Sequence, residues 1–354
     1  MATSERLNVA VVGATGMVGN EILRVLAQRK FPSERIIALA SERSKGLMVA
    51  YNGSSIKVEP LDEKAFKGID IALFAASSDI GLMYGPIAAE AGALVIDNSS
   101  AWRMKENVPL VVPEVNSDDI RANEGIIANP NCCTIPLTVI LNPLKNAVGL
   151  ERVLVSTYQS ASGAGRALVD ELEDQTKAIA AGTEPQAVAY PYQLAYNVVP
   201  GGWRPEAEGY NEEEVKIVNE TRKILHMPDL RITATCVRVP VPVGHGESVF
   251  LETTDKITAD EARTLFGTAP GVIVEDDPHA KLYPTPHNVA GKDEVYVGRI
   301  RNDASTKNGL ALWLVSDNLR KGAALNAVQI AERAVEMGVI TAGATRHRAS
   351  DGQT

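Results

Sequence analysis

The sequence predicts an α/β protein built in two parts, and three observations predict it. Short apolar runs alternate with helical patterns over residues 7–130, which indicates βαβ units and a parallel sheet. A glycine-rich turn follows the first of these runs, as in a Rossmann-type dinucleotide-binding domain. Beyond residue 150 the apolar runs lengthen and several alternate polar with apolar residues, which predicts an α+β domain with a mixed, largely antiparallel sheet.

Hydrophobic periodicity assigns the individual elements. The predicted strands are residues 7–12, 35–40, 69–75, 94–96, 125–128, 152–158, 231–239, 248–253, 294–300 and 309–315. The predicted helices are residues 20–29, 134–146, 167–180 and 321–337. Pro136 supports the second of these helices, because proline is tolerated in a first turn. The segment 181–214 is rich in Pro, Gly and Tyr and is interpreted as a long connection.

Chain length divides these elements into domains. At roughly 150 residues per domain, 354 residues suggest two. We expect a nucleotide-binding domain at 1–131, completed by a C-terminal helix at 321–340, and a catalytic and dimerisation domain at 132–320. The polar residues 345–354 are expected to form a frayed tail. The alternating strands after residue 230 predict a sheet face shared between subunits of a homodimer.

Composition excludes several classes of protein. The 35 Lys and Arg against 44 Asp and Glu give a net charge of −9, which argues against nucleic acid or an anionic membrane as a partner. No apolar stretch approaches the ~20 residues that cross a bilayer. The first residues lack the apolar core of a signal peptide. Three cysteines rule out a disulfide framework and predict a cytoplasmic location.

The turn after the first strand carries the first functional signal. Gly13, Gly16 and Gly19 are spaced three apart between a predicted strand and a predicted helix. Such a turn lets the backbone approach a pyrophosphate at a helix N-terminus. Ala14 stands where the usual fingerprint has its second glycine. The pattern favours a dinucleotide site over a purely structural turn.

The end of the second strand bears on the choice of cofactor. An acidic residue there would accept hydrogen bonds from the 2′-hydroxyl of NAD. Here Ser41, Arg43 and Ser44 follow the strand, and their side chains can bind a 2′-phosphate, whereas Glu42 lies one position late and is interpreted as solvated. NADP is therefore the favoured cofactor. The alternative interpretation is an exposed loop whose charges face water.

Cys132 and Cys133 lie between a strand end and a helix start. Unpaired N–H groups and the helix dipole stabilise a thiolate there, although a cysteine is more often a small buried hydrophobe. Helix geometry does not decide which of the two acts. Cys236 lies inside a strand pattern and is interpreted as core.

Among five histidines, His245 is the best candidate for an acid/base partner of the thiol. It lies between glycines in a turn beyond the strand that carries Arg238, and the alternative is a surface histidine. His226 and His347 are interpreted as surface residues. His279 and His287 lie in a proline-rich loop and are less clear.

Three cations are candidate anion-binding groups. Arg103 follows a strand and can point toward the nucleotide crevice. Arg238 lies in an apolar strand and needs a partner, either a structural carboxylate or a carboxylate substrate. Lys216 is, from the residues alone, a solvated helix residue. The small-residue loop around Ser162 and Gly163 allows a flat nicotinamide ring to approach, or is only a permissive turn.

Over residues 7 to 340 the chain resembles the aspartate-β-semialdehyde dehydrogenase family. The matching motifs are Gly-Ala-Thr-Gly-Met-Val-Gly at 13–19, Pro-Asn-Cys at 130–132, Ser-Thr-Tyr-Gln at 156–159, Ser-Gly-Ala-Gly at 162–165, Cys-Val-Arg-Val-Pro-Val at 236–241 and Ser-Asp-Asn-Leu-Arg-Lys-Gly-Ala at 316–323. Their order and spacing agree with the family, so the match is specific.

The resemblance implies a reaction. It is the NADPH-dependent reductive dephosphorylation of 4-phospho-L-aspartate to L-aspartate 4-semialdehyde, reversible, through a cysteine thioester and without a metal. This step belongs to the biosynthesis of lysine and diaminopimelate, threonine, methionine and isoleucine. Small-molecule substrates and phosphate are the expected partners, together with a second copy of the chain.

The resemblance also implies residue roles. Cys132 would be the nucleophile, His245 the acid/base catalyst, and Gln159 would orient the substrate. The substrate would be bound by Asn131, by Arg238 at its carboxylate, by Glu213 at its amino group, and by Arg103 and Lys216 at its phosphate. The NADP site would be lined by Thr15, Gly16, Met17, Val18, Arg43, Ser44, Ser162, Gly163 and Asn318.

Cys133 is a departure from the family, since a hydroxyl residue is expected after the nucleophile in many relatives.

The sequence has three alternative functional interpretations. Short-chain dehydrogenases need Tyr-x-x-x-Lys, and no tyrosine here is followed by lysine at that spacing. A non-enzymatic nucleotide-binding module would have lost the cysteine or the histidine. The closest alternative is a related acyl-phosphate reductase of the N-acetyl-γ-glutamyl-phosphate type. Glu213 argues against it, because this carboxylate would recognise a free amine.

Overall fold

A computed structural model of the chain describes residues 6–340. These residues fall into two compact units, one formed by residues up to Pro130 together with those from Ala323 onwards, the other by Asn131–Gly322. The expected frayed tail at 345–354 lies outside the described residues. Between residues 6 and 340, no helix combines the length and the apolar character that a bilayer crossing requires.

The first unit contains a seven-stranded sheet flanked by helices. Its strands are β1 (Leu7–Val12), β2 (Ser33–Ala40), β3 (Met48–Tyr51), β4 (Ser54–Pro60), β5 (Ile71–Phe74), β6 (Leu94–Asp97) and β7 (Ile126–Ala128). Its helices are α1 (Met17–Gln28), α2 (Ser78–Glu90), the short α3 (Pro113–Asn116) and α9 (Leu325–Glu336).

This sheet has the order β3-β4-β2-β1-β5-β6-β7, and all its neighbouring strands are parallel except β3 and β4. The central strands are apolar along their length because helices cover both faces of a parallel sheet, and β5 is buried at every position. The α/β prediction for this part is confirmed, and the carboxyl ends of β1 and β5 lie beside each other.

The first unit differs from the sequence prediction at α1, α2, β3 and β4, and in the short α3, which was not predicted. Helix α1 begins at Met17 rather than at residue 20, directly after the glycine turn. Strands β3 and β4 were not predicted, although Asn52 and Gly53 join them with positive φ, the two-residue hairpin turn that favours Asn-Gly. Helix α2 was also not predicted, since it carries two glycines and Pro86.

The second unit is built on a six-stranded sheet. Its strands are β8 (Arg152–Gln159), β9 (Arg231–Arg238), β10 (His245–Glu252), β11 (Val272–Val274), β12 (Val295–Asp303) and β13 (Gly309–Ser316). Its helices are α4 (Thr134–Val148), α5 (Arg166–Ala180), α6 (Glu212–Ile224), α7 (Ala259–Gly267) and α8 (Pro286–Val289).

The second sheet has the order β11-β12-β13-β10-β8-β9. Its β12–β13, β13–β10 and β10–β8 pairs are antiparallel, whereas β11–β12 and β8–β9 are parallel. The prediction of a mixed, largely antiparallel sheet is confirmed. Along β8 and β9 every second residue is buried, so that one face packs under the helices.

Local predictions for the second unit and for the helix that follows it needed three corrections. His245 is the first residue of β10, paired with Ser316, and not part of a flexible turn. The segment 181–214 is not wholly a connection, because α6 begins at Glu212 behind an Asn211–Glu214 capping box. The predicted helix at 321–337 is a π-helical turn at Arg320–Ala324 followed by α9.

Candidate active site

The turn between β1 and α1 has the close packing that its glycines predict. Gly13 has a φ of +81°, and a β-carbon there would lie 2.3 Å from the carbonyl oxygen of Ala75. A β-carbon on Gly19 would lie 2.1 Å from the carbonyl oxygen of Gly13. Gly16 precedes α1 without any side-chain cap, and both Thr15 and Gly16 are exposed. The first N–H groups of α1 are therefore open to an anion.

A short 3₁₀ turn at Glu42–Ser44 follows β2. Ser41 and Arg43 are exposed and Ser44 is half-buried. Glu42 forms an ion pair of 2.9 Å with Lys45, which agrees with a solvated acid. Arg43 has no hydrogen-bond or ion-pair partner among residues 6–340, so its guanidinium is available to a ligand.

Arg103 is buried at the carboxyl edge of the first sheet. Its Nε donates to the carbonyl oxygen of Asn129 at 2.9 Å, and Nη2 donates to that of Asn98 at 2.7 Å. Both carbonyls follow sheet strands, β7 and β6 respectively. These bonds fix the guanidinium at the edge where the strands end.

Cys132 and Cys133 precede α4, as predicted. The Oδ1 of Asn131 accepts hydrogen bonds from the backbone N–H groups of Cys133 at 2.8 Å and Thr134 at 3.3 Å, which fixes the turn that leads into the helix. Cys132 is half-buried, whereas Cys133 is completely buried. Of the two sulfurs, the one that a substrate can reach is that of Cys132.

Cys132 and His245 form a thiol–imidazole pair. The Sγ of Cys132 lies 3.3 Å from Nε2 of His245, which is completely buried. A hydrogen bond from Cys133 holds the pKa of the Cys132 thiol well below its ordinary value, burial opposes this effect, and His245 adds to the lowering. Burial raises the pKa of Cys133 well above its ordinary value, so the proton stays on that sulfur. The geometry favours a reactive thiolate at position 132.

A buried carboxylate lies beside this pair. Oε1 of Glu213 accepts hydrogen bonds from Nδ2 of Asn131 at 2.7 Å and from Nε2 of Gln159 at 3.0 Å. The Oε1 of Gln159 accepts one from Thr157 at 3.1 Å. The structure thus brings together Asn131, Gln159 and Glu213, which are far apart in the sequence.

Lys216 is not the solvated helix residue that its local pattern suggested. Its Nζ lies 3.5 Å from Oε2 of Glu213 and 3.7 Å from Oε2 of Glu212. Its side chain is only 27% exposed. The lysine is accordingly a positive charge held beside the Glu213 carboxylate.

Arg238 is buried and does not have the structural carboxylate that was one of its two predicted partners. Nη1 donates to the carbonyl oxygen of Ser160 at 2.7 Å, and the guanidinium lies 4.8 Å from the ring centre of Trp203 and 5.7 Å from that of Tyr190. Within residues 6–340 no carboxylate pairs with Arg238, and its buried Nε has no hydrogen-bond partner. An unpaired buried guanidinium nitrogen is costly unless a ligand completes it, which favours the carboxylate-substrate alternative.

The small-residue loop after β8 is tied to Asn318. The Oδ1 of Asn318 accepts hydrogen bonds from Gly244 N–H at 2.8 Å and from the hydroxyl of Ser160 at 3.1 Å. Nδ2 of Asn318 donates to Oγ of Ser162 at 3.0 Å. The loop is therefore held rigidly and is not simply a permissive turn.

Sequence reasoning missed four residues of this site. Ser160 contacts His245, Glu220 accepts a hydrogen bond of 2.6 Å from Asn131 N–H, and Trp203 and Tyr190 stack on Arg238. Glu220 lies seven positions after Glu213 on α6, so both face the same side of the helix. That spacing was a usable signal, whereas the two aromatic residues lie in an irregular segment without one.

Two family models match the chain. Residues 8–123 match the model described as semialdehyde dehydrogenase, NAD binding domain, and residues 141–321 match semialdehyde dehydrogenase, dimerisation domain. Together they cover most of the two units, and the second includes His245 and Arg238. The nucleotide-binding nature of the first domain is thereby established at the level of the family.

Full-length relatives agree with these matches. The chain is 50% identical to aspartate-semialdehyde dehydrogenase of Aquifex aeolicus and 47% identical to that of Bacillus subtilis, each over 94% of this chain and 99% of the relative. The crystal structure of aspartate semialdehyde dehydrogenase II of Vibrio cholerae complexed with ASA has a TM-score of 0.92 at 45% identity, covering 94% of this chain and 99% of that one.

A nucleotide-binding sheet, together with a unit in which a half-buried thiol lies 3.3 Å from an imidazole, is the arrangement expected of a thiol-dependent dehydrogenase. The chain belongs to the aspartate-semialdehyde dehydrogenase family. It is accordingly a phosphorylating oxidoreductase of amino-acid biosynthesis.

Proposed function

We propose that the chain carries out the family's NADPH-dependent reduction of 4-phospho-L-aspartate through a thioester on Cys132, with His245 as acid/base catalyst. The observation that carries the residue assignment is the 3.3 Å separation between Cys132 Sγ and His245 Nε2 at the start of α4. A half-buried thiol with a lowered pKa supplies the thiolate that an acyl transfer needs at neutral pH.

The thiolate attacks the acyl carbon of 4-phospho-L-aspartate, and phosphate leaves with the electron pair of the broken C–O bond. A thioester suits the next step because it keeps the acyl group activated between two half-reactions. NADPH, when bound, supplies the hydride. The resulting thiohemiacetal collapses to L-aspartate 4-semialdehyde and regenerates the Cys132 thiolate. The reverse sequence is the phosphorylating oxidation.

Three residues are assigned to the amino-acid part of the substrate. Arg238 binds its carboxylate, which is supported by the buried Nε that lacks a partner. Glu213 faces its ammonium group with a carboxylate that Asn131 and Gln159 already orient. Gln159 is thereby also held in place to orient the acyl group.

Arg103 and Lys216 are assigned to the leaving phosphate. Arg103 is anchored on two carbonyl oxygens, so its guanidinium is pre-oriented. Lys216 supplies a point charge, and its ion pairs with Glu212 and Glu213 keep it at the site. Phosphate oxygens are suitable acceptors both for a guanidinium and for an ammonium group.

We assign NADP to the first unit. The uncapped N-terminus of α1 and the tight packing at Gly13 fit a pyrophosphate, and the exposed Arg43 without a partner fits a 2′-phosphate. Ser41 and Ser44 add hydroxyl donors there, with Gly16, Met17 and Val18 along the helix start. In the second unit, the loop of Ser162 and Gly163 and the amide of Asn318 are assigned to the nicotinamide end.

The assembly is proposed to be a homodimer formed through the second unit. The sheet face opposite the helices exposes Tyr158 and Phe250, which are 37% and 39% accessible, and Trp313 packs edge-on against Tyr158. A partner would cover these rings. Light scattering at assay concentration tests this, and a monomeric mass would refute it. The cytoplasmic location, the absence of a metal and the absence of nucleic-acid or membrane partners stay predictions.

The decisive experiment measures phosphate-dependent NADP reduction with L-aspartate 4-semialdehyde in wild type, Cys132→Ala and Cys133→Ala. We expect Cys132→Ala to lose turnover and Cys133→Ala to retain part of it. Loss only in Cys133→Ala would move the nucleophile to the neighbouring residue. Preferential turnover of N-acetyl-glutamate semialdehyde by the wild type would instead favour the N-acetyl-γ-glutamyl-phosphate reductase alternative.

A further inference from the structure

One contact of His245 fixes where its ring carries a proton. The backbone N–H of Ser160 donates to Nδ1 of His245 at 3.0 Å, and both residues are completely buried. A backbone amide can only donate, so the nitrogen that faces it must offer a lone pair. In the neutral ring the proton then resides on the other nitrogen, Nε2.

The side chain of Ser160 does not make this choice. Its Oγ also lies 3.0 Å from Nδ1, but a hydroxyl can donate or accept. The same Oγ lies 3.1 Å from Asn318 Oδ1 and 3.1 Å from Ser162 Oγ, and its single hydrogen can serve only one of them. The amide therefore sets the tautomer, while the hydroxyl and Asn318 hold the loop in place.

The consequence falls on Cys132. Because Nε2 lies 3.3 Å from its sulfur and carries the ring proton, the imidazole donates to that sulfur and does not accept from it. The neighbouring Cys133 thiol also lowers the pKa of Cys132. A sulfur that accepts a hydrogen bond from the imidazole at a helix N-terminus is stabilised as a thiolate before the substrate arrives.

We propose that Ser160 is a positioning residue that holds His245 as the Nε2–H tautomer, so that, of the acid/base roles proposed for His245, the one it performs is hydrogen donation to the substrate oxygen and not removal of the thiol proton. This inference rests on the proposed function. It replaces proton transfer from the thiol to the imidazole by hydrogen bonding from the imidazole to the substrate oxygen.

In the first step, a lone pair of the Cys132 sulfur forms the S–C bond, and the π electrons of the substrate carbonyl move onto its oxygen. Nε2–H, released from the sulfur, hydrogen-bonds to that oxygen. When the oxygen pair re-forms the carbonyl, the C–O bond to the bridging oxygen breaks, and phosphate leaves with the electron pair of that bond. After hydride addition to the thioester carbon, the same donor stabilises the second oxyanion, and the C–S pair returns to Cys132. No base is needed at either collapse.

The tautomer can be observed directly. The protein is labelled with ring-¹⁵N histidine, and magic-angle-spinning NMR spectra are recorded at the pH of the activity assay. A His245→Gln variant assigns the signals of this residue among the five histidines. We expect the ¹⁵N signal of an unprotonated, pyridine-like nitrogen for Nδ1 and that of a protonated, pyrrole-like nitrogen for Nε2. A protonated Nδ1, with Nε2 either bare or protonated, would overturn the inference.

Ser160→Ala separates the amide from the hydroxyl. This variant keeps the backbone N–H and loses Oγ, so the Nε2–H tautomer must persist in its spectrum. Movement of the proton to Nδ1 would show that the hydroxyl had set the tautomer, against our assignment.

A backbone ester tests the amide itself. Lactic acid incorporated at position 160 matches Ser160→Ala in size and replaces the N–H by an oxygen. We expect its kcat/KM to fall at least tenfold below that of Ser160→Ala, with thermal unfolding measured for both. Equal kcat/KM values in two folded proteins would contradict the proposed role. Activity retained in Cys132→Ala would refute the proposed function instead, and it leaves the NMR result unaffected.

Discussion

Gly163 lies directly against the imidazole of His245. A β-carbon at this position would lie 3.1 Å from Cε1 and 3.2 Å from Nε2 of that ring, and 3.0 Å from Nη1 of Arg238. These separations are shorter than ordinary van der Waals contact. The glycine thus permits the proposed acid/base catalyst and the proposed carboxylate-binding group to come together.

Gly163→Ala should therefore impair catalysis more than stability. The added methyl must push the imidazole or the guanidinium by a few tenths of an ångström, and displacements of that order at a reacting centre reduce rates by about tenfold to a hundredfold. We expect kcat/KM for L-aspartate 4-semialdehyde to fall by that factor. The midpoint of thermal unfolding should change little.

Gly267→Ala is the matched control for this substitution. Gly267 closes α7 with no atom near its added β-carbon and with no positive φ. The control should keep wild-type kinetics and unfold at the same temperature or slightly higher. Equal kinetics in both alanine variants would show that the contact with His245 has no catalytic importance.

Cys133 should control the protonation of Cys132. Since the hydrogen bond from Cys133 is the largest cause of the lowered pKa at Cys132, Cys133→Ala should raise that pKa. The rate of alkylation of Cys132 by iodoacetamide, followed across pH, should then reach its half-maximum at a higher pH.

Cys133→Ser keeps a hydrogen donor at the same position and should place this half-maximum between wild type and Cys133→Ala. Mass spectrometry of the peptide confirms which cysteine carries the label. Superimposed pH profiles for all three proteins would mean that the neighbouring thiol does not stabilise the thiolate.

Glu247 is a completely buried carboxyl on β10 whose two oxygens have no hydrogen-bond partner among the described residues. Burial raises the pKa of this carboxyl well above its ordinary value, and the charge of Cys132 adds to the effect. A group with a raised folded-state pKa stabilises the fold fully below its unfolded pKa and loses that contribution as the pH rises.

Glu247→Gln should therefore become relatively more stable as the pH rises. We expect the unfolding temperature of the variant minus that of wild type to increase between about pH 5 and pH 8. Glu252→Gln, on the same strand but 26% exposed and paired with Arg152 at 3.1 Å, should show no such increase. A pH-independent difference for Glu247→Gln would mean that this carboxyl does not carry the expected shift.

The predictability of the fold depended on how local each signal was. β1 and β5 are continuous apolar runs because they are buried on both faces, and such runs are visible in the sequence. Helix α6 was obscured by the Pro- and Gly-rich residues before it, although its capping box at Asn211 was a usable start signal. The β3–β4 hairpin also had a local signal in the sequence, the turn-forming pair Asn52-Gly53.

The site was predictable in its residue types but not in its contacts. A cysteine at a helix start carries a local signal, whereas the choice between Cys132 and Cys133 depends on which sulfur tertiary packing buries. His245 was expected in a flexible turn because its glycine neighbours dominate the local pattern. Its place in β10 is set by pairing with β8 and β13, which no local pattern encodes.

Arg43 should determine the preference for NADP. Its exposed guanidinium has no partner among residues 6–340, and a charge-assisted hydrogen bond to a 2′-phosphate contributes about 1.5–3 kcal/mol. Arg43→Ala should therefore raise the KM for NADP by about tenfold to a hundredfold and leave kcat/KM with NAD unchanged. Arg35→Ala removes an exposed cation from β2 that already pairs with Glu59 at 3.5 Å, and it should leave both cofactors unaffected. An unchanged KM for NADP in Arg43→Ala would favour the alternative in which the charges of this loop merely face water.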